Sequence, residues 1–114
     1  MSAKQSPDAK TAQAVKGFLA LLGDYRPVGA RLFGSRARGD HAPDSDADVA
    51  VLLEGKAGSL LATKLAMPDI AYDVLLETGI NISPLPVWMD EWEHPELFSN
   101  PALLRNIAAE GVAV

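Results

Sequence analysis

The sequence predicts an α/β protein with a small, mixed β-sheet flanked by helices. Segments with apolar residues at helical spacing alternate along the chain with short apolar runs that glycine and proline bound. The resulting order, α-β-α-β-α-β-α, is typical of helices packed on a sheet. With 114 residues the chain can bury one core. We therefore expect one domain over residues 8–114, preceded by a disordered polar tail at residues 1–7.

The first helix and the first strand come from the N-terminal third of the chain. Apolar residues recur at three- and four-residue spacing over residues 8–23, which predicts an amphipathic helix. The predicted buried face holds Thr11, Val15, Phe18, Leu19 and Leu22. Pro27 then breaks the helical pattern, and residues 28–33 predict a short strand. Residues 36–38 predict one helical turn, which Gly39 closes.

The middle of the chain predicts a loop, a strand and a long helix. Residues 41–45 are rich in loop-forming residue types, and the apolar run at residues 48–53 fits a strand covered on both faces. Residues 59–77 predict a helix that ends at a glycine, and Pro68 should kink this helix or split it in two. The apolar residues that mark the helix are Leu61, Leu65, Tyr72 and Leu76.

The C-terminal third predicts a strand, a helix and a short final strand. Residues 80–87 form the third strand, whose two prolines indicate an edge position or a bulge. Asn100 fits an N-cap and Pro101 a first helical residue, and a glycine ends this helix. Residues 112–114 can add a last strand. Before the helix lies an apolar cluster that we interpret as cover for the core rather than a partner-binding patch: Trp88, Met89, Trp92 and Phe98.

The composition narrows the classes of function. The formal net charge of −5 argues against broad binding of nucleic acid, which needs a positive face. The chain has no cysteine, which fits a reducing cytoplasm. We find neither a secretory leader pattern nor an apolar run near the ~18 residues that span a membrane. One local exception to the acidic balance suits a small anionic ligand, because four arginines fall within thirteen residues: Arg26, Arg31, Arg36 and Arg38.

Two aspartates at the start of the second strand are candidate metal ligands. Asp46 and Asp48 are two residues apart, so on a strand their side chains leave from one face, about 7 Å apart along it. Two carboxylates on one face suit Mg²⁺ or Mn²⁺, which prefer oxygen ligands and keep positions for water and phosphate. An isolated pair of this kind is more often a solvated acidic turn, which is the competing interpretation.

The corner after the first strand is a candidate phosphate site. Gly34 lets a phosphate approach the backbone, Ser35 adds a hydroxyl, and backbone N–H groups of the turn can point at an anion. Arg36 or Arg38 could neutralise the charge. Strand ends often use these residue types, so the corner alone is weak support, and neither a P-loop nor a dinucleotide-binding glycine pattern is present. Ten residues separate the corner from Asp46, which suits two adjacent strands with the phosphate donors beside the carboxylates.

Together these motifs resemble a known family. GSRARG at residues 34–39, followed by SDADV at residues 45–49, is similar to the signature of minimal nucleotidyltransferases, small members of the DNA polymerase β-like superfamily. The order of elements agrees over most of residues 10–111. The resemblance implies the polymerase β-like nucleotidyltransferase fold. It also implies transfer of a nucleoside monophosphate from an NTP, usually ATP, to an acceptor hydroxyl, with release of pyrophosphate.

The resemblance also implies the roles of individual residues. Mg²⁺ or Mn²⁺ would bridge the phosphates and stabilise charge at the attacked phosphorus. The residues implied to bind the nucleotide are Gly34, Ser35, Arg36 and Arg38, with Ser35 and Arg36 at the β- and γ-phosphates. The residues implied to hold the metal and to serve catalysis are Asp46 and Asp48.

The sequence departs from the family at one position. The family usually supplies a third carboxylate from the next strand, and Asn81 stands at the comparable place, with Ser83 on the same face. Asn81 can coordinate a metal but cannot accept a proton. The alternatives for the missing group are Asp73, Glu77 or a partner protein.

The resemblance and the small size together suggest the partner. Stand-alone members of the family often pair with a HEPN-type protein as the antitoxin of a toxin–antitoxin module, and the expected acceptor hydroxyl then lies on that partner. The alternative is a binding module that neutralises its partner by contact after losing catalysis. The sequence leaves oligomer formation open.

Overall fold

The computed structural model describes residues 9–22, 27–39, 42, 45–54 and 61–114, and within residues 61–66 it describes the backbone alone. Several predictions from the sequence concern positions outside this range. These positions are the tail at residues 1–7, the helix start at residue 8 and stop at residue 23, Arg26, most of the loop at residues 41–45, residues 59–60, and the side chains of Leu61 and Leu65.

The described segments contain five α-helices, one short 3₁₀ turn and four strands. The helices are α1 (Ala9–Leu21), α2 (Ser35–Arg38), α3 (Leu61–Thr78), α4 (Met89–Glu93) and α5 (Pro101–Glu110), and the 3₁₀ turn is Pro95–Leu97. The strands are β1 (Pro27–Phe33), β2 (Ala47–Leu53), β3 (Ile82–Trp88) and β4 (Val112–Ala113). The strand bounds differ from the predicted ones by one or two residues. The predicted order lacks α4 and the 3₁₀ turn.

The four strands form one mixed sheet in the order β3-β2-β1-β4. β1 pairs antiparallel with both β2 and β4, whereas β2 and β3 run parallel. A small mixed sheet flanked by helices is the predicted fold class, and it is confirmed. β2 is central, and its apolar residues are buried on both faces of the sheet, as the continuous apolar run predicts.

Helices cover the two faces of the sheet as separate layers. On one face α1 and α3 pack against alternate residues of β2, and this core includes Phe18, Met67 and Val49. On the other face α4 and α5 cover the remaining β2 residues in a smaller core, which includes Leu52 and Leu104. The predicted face of α1 is confirmed, since its members are fully buried apart from one partly buried leucine. The apolar cluster covers the core, as interpreted from the sequence: Met89, Trp92 and Phe98 pack against the smaller core, and Trp88 belongs to the larger one.

Helix α3 forms where it is predicted, as one helix. It runs unbroken through Pro68, so of the two predicted effects of this proline the split is wrong and the kink stays a prediction. Pro68 is exposed, while Met67 and Ala71 on either side of it are buried against the core, and this packing offsets the lost backbone hydrogen bond. Two of the apolar residues that mark this helix in the sequence are exposed, since Tyr72 is 57% and Leu76 is 68% exposed.

The third strand lies at an edge of the sheet, one of the two positions that its prolines predict. Ala47 N–H donates to the carbonyl of Asn81 over 2.9 Å, which extends the β2–β3 ladder by one residue. In a parallel ladder the backbone N–H and C=O of one residue point to the same neighbouring strand. The backbone groups of the odd-numbered residues of β3 therefore point toward β2. The backbone of Pro84 and Pro86, which lack an N–H, therefore points to the open edge of the sheet, where no partner strand needs a donor.

The C-terminal helix forms as predicted. Asn100 Oδ1 accepts a hydrogen bond from Leu103 N–H over 3.2 Å, and Pro101 is the first helical residue. The unpredicted helix α4 begins where Trp88 N–H donates to Glu91 Oε1 over 3.0 Å, three residues ahead. Among the described residues, no helix has the length and apolar character needed to cross a bilayer.

Candidate active site

The corner between β1 and α2 needs a glycine. Gly34 has φ 78° and ψ −157°, a conformation that L side chains rarely adopt. A Cβ atom at this position would lie 2.5 Å from Asp48 Oδ2. The carboxylate of Asp48 therefore lies directly against the backbone of the corner, and this contact joins the two halves of the sequence motif.

The strand register produces this contact. Phe33, the last residue of β1, is paired with Asp48 near the start of β2. On its other side Asp48 is paired with Ser83 of β3. Paired residues of neighbouring strands share a face of the sheet, so the β1 corner, Asp48 and Ser83 lie side by side. Asn81, two residues before Ser83, occupies the same face one step further along, beside Asp46.

The two aspartates interact electrostatically. Burial raises the pKa of Asp48 above its usual value, and the negative charge of Asp46 raises it further. The sequence predicts a raised pKa for at least one member of the pair, and the direction for Asp48 agrees. Asp46 is exposed, whereas Asp48 is half-buried. A cation placed between them would relieve both the repulsion and the unfavourable burial of charge.

The oxygen donors at this site fit a hard divalent cation that is only partly coordinated by protein. Among the described residues, no group of three or more His, Cys, Asp or Glu side chains could hold a metal ion. Asp46 and Asp48 supply carboxylates, and the Ser83 hydroxyl and Asn81 amide share their face. Mg²⁺ is commonly held by one or two carboxylates, with the remaining positions taken by water and substrate phosphates.

The two arginines of the α2 turn point in different directions. Arg36 is 4% exposed and is directed into the protein. Its Nε donates to the Ser45 carbonyl over 2.8 Å, and its Nη1 donates to Thr11 Oγ1 over 2.9 Å. Arg38 is exposed and lines a cavity of about 180 Å³ between α2 and α5, which Gly34 also borders. Of the two, Arg38 is therefore the one on the open side of the corner, and a phosphate contact of Arg36 stays a prediction.

A third described arginine of the predicted anionic site has a different contact. The guanidinium of Arg31 lies 5.8 Å from the centroid of the Trp92 ring, a cation–π distance. Arg31 thereby links β1 to α4. The three described arginines of the predicted cluster thus have a buried contact, a stacking contact and an exposed position at the corner, respectively Arg36, Arg31 and Arg38.

The candidate carboxylates of helix α3 are Asp73 and Glu77. Glu77 lines a groove between α1 and α3 together with Gln13 and Gly17. That groove lies in the helix layer on the face of the sheet opposite to Asp48. Asp73 is exposed on the same helix and joins no metal-binding cluster of the described residues. A role of either carboxylate at the site stays a prediction.

Thr11 is the contact residue that the sequence interpretation missed. The sequence predicts it on the buried face of α1, and it is fully buried there. A hydroxyl within an otherwise apolar face is a signal of a buried polar partner, since an unsatisfied buried hydroxyl costs free energy. The pattern could have indicated a partner for Thr11, although it could not have identified Arg36.

Comparisons with known proteins place the chain in a family. Residues 13–91 match the family model of the nucleotidyltransferase domain. A crystal structure from Sulfolobus solfataricus, of a protein provisionally described as a nucleotidyltransferase, superposes with a TM-score of 0.48 at 14% sequence identity. The superposition covers 95% of this chain and 88% of that chain. No functionally curated protein matches the chain significantly.

Proposed function

The chain belongs to the nucleotidyltransferase-domain family, and from this premise we propose that it transfers AMP from Mg²⁺- or Mn²⁺-bound ATP to an acceptor hydroxyl. The observation that carries the proposal is the contact between the Gly34 corner and the Asp48 carboxylate. This contact supports a single site in which phosphate donors and metal ligands act on the same triphosphate. NMP transfer in general follows from the family, whereas the base, the metal and the acceptor are parts of the proposal.

The corner and the aspartates have separate roles in the proposed reaction. Ser35 and the backbone of the Gly34 corner bind the β- and γ-phosphates, and Arg38 neutralises them from the exposed side. Asp46 and Asp48 hold the divalent cation, which supplies charge neutralisation at the α-phosphate and the leaving group.

The transfer makes one bond and breaks one bond. The acceptor oxygen forms a bond to the α-phosphorus, and the bond from that phosphorus to the α,β-bridging oxygen breaks. Pyrophosphate leaves with the electron pair of the broken bond. The acceptor hydroxyl loses its proton, and because Asn81 cannot take it up, we assign the base to the acceptor protein.

We propose a HEPN-type protein as that acceptor, with the chain acting as the antitoxin of a cytoplasmic toxin–antitoxin module. The support is the resemblance of residues 34–49 to minimal nucleotidyltransferases. A second candidate function is a catalytically weakened module that binds nucleotide and neutralises the partner by contact. Asn81 favours this second candidate, because it removes a carboxylate from the metal face.

A labelling experiment separates the two functions. The protein is incubated with Mg²⁺, α-³²P-ATP and the product of the neighbouring gene, and label on the partner is measured after denaturing electrophoresis. The enzyme predicts label that requires Mg²⁺ and disappears in Asp48→Asn. A tight complex without label, formed equally by wild type and Asp48→Asn, supports the binding module.

A further inference from the structure

The buried side chain of Arg36 connects helix α1 to the residue that precedes the metal carboxylates. One nitrogen donates to Thr11 Oγ1 on α1, and another donates to the carbonyl of Ser45. Ser45 is adjacent to Asp46, and Asp48 follows two residues later. The guanidinium thus fixes the backbone from which both carboxylates project.

We propose that Arg36 is a positioning residue that holds the Ser45–Asp48 segment in the geometry for metal and nucleotide. The inference rests on the proposed function, and it assigns phosphate neutralisation at the corner to Arg38. A side chain that is 4% exposed and bonded inward at two nitrogens is poorly placed to meet a triphosphate in solvent. An exposed arginine on the same turn is well placed to do so.

The Ser45–Asp48 segment needs support because it holds two negatively charged side chains close together, one of them half-buried. Asp46 and Asp48 repel each other before a cation binds, and half-burial of Asp48 adds to the cost. Further hydrogen bonds among the described residues also anchor the segment. Ala42 N–H donates to Ser45 Oγ over 3.1 Å, Ser45 N–H donates to the Ala42 carbonyl over 3.0 Å, and Ala47 N–H donates to the Asn81 carbonyl over 2.9 Å. Arg36 differs from these bonds because it connects the segment to helix α1 through Thr11.

The chemistry at this position favours arginine over lysine. The Ser45 carbonyl and the Thr11 hydroxyl lie in different directions from the side chain, and the planar guanidinium reaches both with separate N–H groups. Lysine keeps the positive charge but places its three donors on a single nitrogen. A positioning role therefore predicts that Arg36→Lys fails, whereas a role as phosphate counter-charge predicts that it is tolerated.

The test separates metal-dependent from metal-free binding of ATP. Calorimetric titrations with and without Mg²⁺ are made for wild type, Arg36→Lys, Thr11→Val and Thr11→Ser. Mg²⁺ increases the affinity for ATP, and we expect this increase to be about tenfold smaller in Arg36→Lys and in Thr11→Val than in wild type. Losses of this size are common when the residue that supports a metal ligand is removed. The metal-free affinity of both variants should stay unchanged, and Thr11→Ser, which keeps the hydroxyl, should match wild type.

Other results of these titrations would overturn either the positioning role of Arg36 or the proposed function. Loss of metal-free affinity in Arg36→Lys, or an unchanged Mg²⁺ gain in Thr11→Val, would overturn the positioning role while leaving the proposed function intact. A wild type without any Mg²⁺-dependent affinity would overturn the proposed function itself. If Arg36→Lys does not fold, the two Thr11 variants decide the result.

Discussion

Replacement of Gly34 by alanine tests the contact that joins the two halves of the site. The backbone at Gly34 lies in a region that only glycine occupies readily, and forcing another residue there costs about 1–3 kcal/mol. The new methyl group would also lie 2.5 Å from Asp48 Oδ2, so the carboxylate must move. Because this oxygen is at the end of a half-buried side chain, its displacement adds a cost toward the lower end of the about 1–3 kcal/mol of overpacking. We expect Gly34→Ala to lower the free energy of unfolding, measured by urea denaturation, by the sum of both effects.

Gly39→Ala is the matched control for backbone strain. Gly39 also has a positive φ, 82°, but a Cβ atom there would meet nothing within 4 Å. Its replacement should therefore cost about 1–2 kcal/mol from the backbone alone. In an Asp48→Ala background the excess cost of Gly34→Ala over Gly39→Ala should become smaller, because the opposing oxygen is gone and only the difference in backbone strain is left. An excess that is the same with and without Asp48, or no excess in the wild-type background, would refute the contact.

Three further predictions concern the charges and ligands of the site. Asp48→Asn should raise the free energy of unfolding at neutral pH without metal, because the folded state raises the pKa of Asp48. The protonated Asp48 carboxyl contributes stability that is complete below the ordinary aspartate pKa and is lost as the pH rises through the raised value. Urea denaturation of the wild type across this pH range should therefore show a decline that Asp48→Asn lacks. Mg²⁺ with ATP should raise the melting temperature while Mg²⁺ alone has little effect, and a thermal-shift series without response to any NTP would count against the site. Asn81→Asp should weaken folding without metal, strengthen Mn²⁺ binding and speed AMP transfer by up to ~10²–10⁴-fold, whereas equal transfer by both proteins would place the base elsewhere.

The fold could be predicted from the sequence wherever one pattern dominated locally. The apolar run of β2, the cap at Asn100 and the single apolar stripe of α1 each permit one interpretation, and each is confirmed. Helix α3 carries apolar residues around much of its circumference, so docking on the sheet decides which of them are buried. Tyr72 and Leu76 are exposed for this reason.

The directions of side chains within the site could not be predicted. Arg36 and Arg38 share one helical turn and one chemistry, and only the packing of α1 beside that turn directs Arg36 inward to Thr11. The contact between Gly34 and Asp48 depends on the register of β1 against β2, which the spacing of the motif suggests but does not fix.

Paramagnetic broadening by Mn²⁺ tests most directly whether the corner and the aspartates form one metal–nucleotide site. Amide signals of the protein are recorded by NMR with a non-hydrolysable ATP analogue before and after Mn²⁺ is added in small steps. The proposed site predicts that broadening begins at Gly34, Asp46, Asp48 and Ser83, requires the analogue, and is lost in Asp48→Asn. Broadening that begins elsewhere, or that is unchanged in Asp48→Asn, would contradict the account.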